Sequence, residues 1–254
     1  MKHNDAVHEE DYKGYHIEIL VDEDSNDSPR DWDNLGTFAT WHRRDNYGDV
    51  QPRQDPLEYM AWLLIKNYED KLPYTSNFLA SDYDCEEWLL NDGDDERVLK
   101  YFNKYYVMLP VYAYEHGGIT LSTGKFSDPW DSGQLGFIYV EKKKVLKEFS
   151  RKHWSKSLED KVIHNLKSEI ETYDDYLNGN VYGYVIWKEY ETDEEEQVEY
   201  NMMDSIDSLW GIYPDHVGPD YKYPLSEAKS FVDWQVKEDN KKLWEQMQSK
   251  EMAE

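Results

Sequence analysis

The chain has 254 residues, with 28 Lys and Arg against 54 Asp and Glu, a formal net charge of −26. Hydrophobic residues make up only 39 %, but 10 Trp and 22 Tyr each bury much area, so a folded core is expected. The charge opposes direct binding to nucleic acid or an anionic membrane, and the one cysteine, Cys85, excludes an internal disulfide or a thiolate-cage zinc site.

The first eleven residues lack the apolar core of a secretory signal, and no apolar run reaches membrane-spanning length. A soluble intracellular protein is the expectation. Residues 1–14 read as an acidic N-terminal extension. Residues 15–21 alternate as a first strand does, and an acidic loop follows at 22–27. Residues 36–42 read as a second strand and 43–55 as a long polar loop. Pro56 suits a first helical turn, because it lacks only an N–H that is unpaired there anyway. Leu57, Met60, Ala61, Leu64 and Ile65 then recur at helical spacing through Tyr68. A second helix is expected over 97–106, with Val98, Phe102 and Tyr105 on one side. Residues 107–114, 118–122 and 135–140 are rich in β-branched and aromatic residues and read as strands.

The clearest helix covers 158–177, where Leu158, Val162, Leu166, Ile170, Tyr173 and Leu177 form one apolar stripe. Ser157 with Asp160 resembles a capping box, and Asn178-Gly179 supplies the stop. A strand over 181–190, an acidic loop and a return strand near 197–202 follow. Pro224 and Ser226 introduce a last helix over 227–248, with 241–254 as its polar end or tail. Strands and helices are segregated along the chain, which gives an α+β class: a mixed or antiparallel sheet with several packed helices. No repeat or linker divides it, so residues 15–240 are expected to form a single domain.

Acid is unevenly distributed. Residues 1–34 carry 3 basic and 11 acidic side chains, and 171–200 carry 1 and 10, centred on Asp193-Glu194-Glu195-Glu196. Residues 141–170 reverse the sign, with 9 basic and 5 acidic, and read as one basic helix surface. Like-charge runs are ordinarily solvated loops. His153 and Trp154 lie among the basic residues, a pairing that can serve nucleic acid, but the surrounding field opposes it.

Two loops are dense in Gly, Pro, Asp and Trp. One is Ser28-Pro29-Arg30-Asp31-Trp32-Asp33-Asn34-Leu35-Gly36-Thr37, running into Trp41-His42-Arg43-Arg44. The other is His116-Gly117-Gly118 with the stretch Phe126–Gly136. Such loops carry function, or serve as rigid connectors whose Asp and Ser side chains satisfy backbone donors. If the chain is an enzyme, His42, Asp33 and Asp131 are the candidates for acid, base and orienter. His42, His116 and Asp131 are the corresponding metal-ligand set, although their spacing demands no metal and no cofactor. Arg30, Arg43 and Arg44 are candidate anion binders, because a guanidinium offers paired donors; ion pairs with Asp31, Asp33 and Asp45 are the plainer role. No P-loop, nucleophile elbow, H-E-x-x-H or dinucleotide fingerprint occurs. Cys85, between Asp84 and Glu86, has its thiolate disfavoured and reads as a packed side chain.

The segment Ser28–Thr37 together with Pro129-Trp130-Asp131-Ser132-Gly133-Gln134-Leu135-Gly136 resembles a family of acidic proteins encoded by tailed bacteriophages. The similarity extends to Gly117–Ser122 and Leu177–Tyr184, and covers roughly residues 15–229. It implies a phage accessory product acting in the host bacterial cytoplasm, with no activity or catalytic residue to carry over.

Two functions follow as expectations. The first is a counter-defence inhibitor of a host DNA-targeting complex, of the restriction or CRISPR type. An acidic surface would occupy that complex's basic DNA-binding groove, with Asp22, Glu23, Asp24, Asp92, Asp94, Asp95, Asp193, Glu194, Glu195 and Glu196 as contacts. The second is a small hydrolase, a nucleotide-modifying enzyme or a protein that binds an immune nucleotide, built on residues 41–44 and 129–134.

Overall fold

The computed structural model describes residues 5–24, 27–73, 85–90, 95–188, 205–214 and 219–251. In chain order the elements are β1 (His8–Tyr12), β2 (Tyr15–Val21), β3 (Thr37–Thr40), α1 (Pro56–Tyr68), α2 (Cys85–Leu90), α3 (Asp95–Tyr105), β4 (Tyr106–Glu115), β5 (Ile119–Ser122), β6 (Ser132–Glu141), α4 (Lys142–Glu148), α5 (Lys156–Leu177), β7 (Tyr182–Lys188), β8 (Ser205–Ile212) and α6 (Lys222–Glu251). The class is α+β, and both sheets are antiparallel and four-stranded. The chain divides into two units, Ser28–Asp174 and Met1–Asp27 with Asp175–Glu254.

The unit formed by the two chain ends holds the sheet β1-β2-β7-β8. Residues 8–12 are strand β1, not a loose extension. Lys13 and Gly14 join it to β2 with φ of 52° and 78°, the two positive angles that a tight hairpin turn of this twist needs. The alternation read from residues 15–21 holds. Tyr15, Ile17 and Ile19 pack with Tyr184, Ile186 and α6 residues Leu225, Ala228 and Val232. The intervening residues His16 and Glu18 are buried polar groups. The Trp187 indole N–H donates to Glu18 at 2.9 Å, and His16 Nδ1 lies 2.5 Å from Asp11. The return strand expected near 197–202 lies outside the described residues; β7 pairs with β2 on one side and with β8 on the other.

The other unit is built on the sheet β3-β6-β4-β5. Asp55 caps α1 and accepts from the N–H groups of Leu57 and Glu58, while Glu58 reaches back to the Asp55 N–H. Pro56 takes the first helical position, as its sequence place requires. Helices α1, α2 and α3 contribute Leu64, Ala61, Leu89, Cys85, Val98 and Phe102 to one core, against Phe137 and Tyr139 of β6. Aromatic rings dominate it: Phe102 stacks on Tyr106 at 4.5 Å, and the Tyr59 and Tyr139 hydroxyls meet at 2.8 Å.

The apolar stripe of α5 is buried as its spacing demands, from Leu158 to Tyr173. Its start differs from the sequence reading. Helix α5 begins at Lys156, and the cap is Ser155, whose hydroxyl accepts from the Leu158 N–H; Ser157 is already helical. The basic stretch is also two helices rather than one. Helix α4 ends at a turn in which the Ser150 N–H reaches Lys147 O and the Arg151 N–H reaches Leu146 O, with Ser150 at φ 49°.

Candidate ligand-binding cleft

Arg30 shows how the 28–37 loop is held. A short 3-10 turn, Pro29–Asp31, is capped by Ser28, whose hydroxyl accepts from the Arg30 N–H. The Asn34 amide donates to the carbonyls of Pro29 and Trp32. The Arg30 side chain, 6 % exposed, grips Asp49 with Nε and Nη2 at 2.9 and 2.6 Å, Glu169 with Nη1 at 3.2 Å, and Gly36 O. Burial opposes the guanidinium charge, but Asp49 and Glu169 outweigh it and hold its pKa above the ordinary value. Glu169 in turn accepts from the Leu35 and Gly36 N–H groups, and Asp49 from the Phe38 N–H. This first resemblance segment is therefore a staple that fixes β3, and Arg30 is committed to it rather than to an outside anion. Its partners are Asp49 and Glu169, not the neighbouring Asp31 and Asp33.

The second half of the loop takes a different course. Trp41 leaves β3 with its indole N–H on Gln54 O at 2.7 Å and its ring against Tyr59 and Phe137, which anchors it in the aromatic core. Its backbone N–H donates to Leu135 O at 2.9 Å. Leu135 is the extra residue of a β-bulge: Val111 lies opposite Gly136, while Tyr112 lies opposite Gln134. A bulge bends its strand and re-aims the side chains beyond it. Here it carries residues 130–134 beside residues 41–44.

Between the two loops lies a cleft of about 440 Å³, lined among others by Trp41, His42, Arg43 and Arg44 on one side and by Trp130, Asp131, Ser132 and Gln134 on the other. Ala113 and Glu115 of β4 complete it. His42 Nδ1 accepts from the Asp45 N–H at 3.0 Å, so in the neutral ring Nε2 carries the proton, and it faces Glu115 Oε1 at 3.3 Å. Both ring nitrogens are thus engaged. Asp131 is held by His116, Nδ1 to Oδ2 3.0 Å, and its carbonyl accepts from the Glu115 N–H. Asp128 accepts from the N–H groups of Trp130 and Asp131, which pulls its pKa below the usual carboxylate range. Ser132 donates to Asp128 O. Trp130 itself is 92 % exposed, an unusual position for so large an apolar ring. Arg43 and Arg44 are exposed and have no ion pair among the described residues.

The candidate residues thus separate. His42, Arg43, Arg44 and Asp131 meet at one cleft, as the two-loop reading expected. Asp33 does not join them; it lines another groove with Asn34, Leu35, Lys144 and Glu148. The pairings also differ from the triad read in the sequence, because the carboxylate on His42 is Glu115 and Asp131 belongs to His116. The sequence reading missed Glu115. Its signal was a charged residue closing an apolar strand immediately before His116-Gly117-Gly118. Of the acidic contact residues, Asp22 is occupied with the Gly211 N–H, Glu23 and Asp24 are exposed, and Asp95 opens α3. Asp92, Asp94, Asp193, Glu194, Glu195 and Glu196 lie outside the described residues.

No protein-family model, no curated protein and no solved structure matches the chain. Among the described residues, no cluster of His, Cys, Asp or Glu is placed to hold a metal ion, and no helix is long and apolar enough to cross a membrane.

Proposed function

We propose that the chain is a binding protein that captures a small phosphorylated ligand of the nucleotide class in the cleft between residues 41–44 and 130–135. One observation carries this reading. In a chain with 54 acidic and 28 basic side chains, Arg43 and Arg44 stand exposed and without an ion pair among the described residues, at the rim of a cleft. A guanidinium pair without an ion-pair partner is suited to phosphate, which it can meet with paired donors. Trp130 offers the ring face that a base stacks on.

Binding without turnover fits this cleft better than catalysis. Both nitrogens of His42, the imidazole expected to act as acid or base, are already used. Ser132 donates to a backbone carbonyl rather than to a histidine. In the phage setting that the resemblance implies, the role would be to sequester a nucleotide signal of the host defence. Calorimetric titration with a nucleoside monophosphate tests the proposal. Arg43→Ala combined with Arg44→Ala should lower affinity at least tenfold and flatten its salt dependence, since each lost charge-assisted contact is worth about 1.5–3 kcal/mol. Unchanged affinity in the double variant would sink it.

The charge of −26 favours a second reading, an inhibitor of a host nuclease or other DNA-targeting complex through its acidic surface.

A further inference from the structure

The cleft has a negative side as well as a positive one. Glu115 and Asp131 both line it, and each spends one oxygen on a histidine: Glu115 Oε1 faces His42 Nε2, and Asp131 Oδ2 faces His116 Nδ1. The second oxygens, Glu115 Oε2 and Asp131 Oδ1, have no hydrogen bond among the described residues. Histidine contacts fix the orientation of both carboxylates without consuming them. The Glu115 N–H on Asp131 O, at 2.8 Å, holds the two residues side by side. A carboxylate is acceptor-only, so what it selects in a ligand is a donor.

A ligand that fits must therefore present an anionic end to Arg43 and Arg44, a flat face to Trp130, and hydrogen-bond donors to Asp131 and Glu115. Among the common nucleobases, guanine alone places an imino N–H and an amino group on adjacent atoms of one edge, which match the two oxygens of a carboxylate or two neighbouring carboxylates. Adenine offers one amino group next to a ring acceptor, which a carboxylate repels. Asp131 follows Trp130 directly and lines the same cleft, so the ring and the carboxylate are both within reach of one bound base.

We infer that the cleft selects a guanine nucleotide, with Asp131 and Glu115 reading the base edge. This rests on the nucleotide reading above and adds the identity of the base to it.

Calorimetry on the full chain compares guanosine monophosphate, adenosine monophosphate and ribose phosphate. The guanine nucleotide should bind at least tenfold more tightly than the adenine one, the discrimination expected of a good bidentate pair. Asp131→Asn should bring that ratio close to one, because the amide replaces an acceptor by a donor. Asp131 is half-exposed at a loop, so circular dichroism should report an unchanged fold. Equal or tighter binding of the adenine nucleotide, with ribose phosphate also bound, overturns the guanine inference and leaves phosphate capture standing. A guanine preference that survives Asp131→Asn and Glu115→Gln together overturns the assigned readers. Binding of none of the three overturns both this inference and the nucleotide reading.

Discussion

At the scale of single residues, two arginine environments in one unit have opposite consequences. Arg30 is enclosed by Asp49, Glu169 and Gly36 O, so its removal strands two partly buried carboxylates. Breaking such a pair by deleting one partner costs about 3–5 kcal/mol. Arg30→Ala should therefore lower the urea midpoint sharply, and Arg30→Lys should recover little, since an ammonium cannot span three acceptors in a plane. Arg43→Ala should leave the same midpoint within about 0.5 kcal/mol, as an exposed surface change does. The tyrosines carry a second prediction. Burial pushes the Tyr106 hydroxyl up to about 12, against a smaller opposing effect of its bond from Asn67. Burial, helped by Glu141, also raises Tyr68; burial and Tyr59 raise Tyr139. Unfolded tyrosines ionise near 10, so above that pH the unfolded chain releases protons that the folded chain retains. Stability contributed by these groups is complete below about pH 10 and falls as pH rises towards 12. Absorbance of tyrosinate in an alkaline titration should show a late, cooperative step coincident with loss of ellipticity. Independent ionisation of all tyrosines near 10, with the fold retained, would contradict the burial argument.

At the scale of elements, the parts legible in the sequence are those set by local chemistry. Pro56 behind Asp55 and ahead of Glu58 specifies the start of α1, and Asp55→Ala should cost about 1 kcal/mol in thermal unfolding. The four-residue stripe of α5 and the alternation of β2 were equally plain. The cap of α5 was misread because Ser155 and Ser157 both precede an apolar run, and only packing decides which serine leaves the helix. Strand β1 was missed because His8-Glu9-Glu10-Asp11-Tyr12 has no apolar face, and its pairing comes from the turn at Lys13-Gly14 and from β2. The convergence of the two cleft loops was proposed from composition, but their join is tertiary: the Leu135 bulge and the Trp41–Leu135 bond place them. Gly136 permits that join. A Cβ there would lie 2.0 Å from Ala39 O, so β6 could not approach β3 so closely. Gly136→Ala should both destabilise the chain and weaken ligand binding, whereas Gly118→Ala, outside the cleft lining and with nothing within 4 Å of its Cβ, should do neither. Equal behaviour of the two variants would remove the bulge from the account of the cleft.

At the scale of the whole molecule, the charge of −26 acts on stability and on partners in separable ways. Raising sodium chloride from about 10 mM to about 150 mM shortens the screening length from roughly 30 to 8 Å, so self-repulsion weakens and the melting temperature should rise. The same change weakens any contact between Arg43, Arg44 and phosphate, so stability and ligand affinity should move in opposite directions. The inhibitor reading makes a third demand. A basic groove drawn to excess carboxylate should hold the tagged chain at low salt and release it at high salt in pull-downs from defence-carrying bacteria, with the partner identified by mass. Neutralising Asp193 to Glu196 with Asn and Gln should reduce that retention, while Arg43→Ala with Arg44→Ala should leave it intact, because two arginines contribute nothing to an acidic face. The nucleotide reading predicts the reverse order for a small ligand: lost with the arginines, indifferent to the acidic run. Retention of a DNA-handling complex by the arginine variant, shed by salt and competed by duplex DNA, would establish an acidic interface independent of the cleft. Failure to retain such a complex at either salt would remove the acidic interface from the account and leave the cleft as the functional surface.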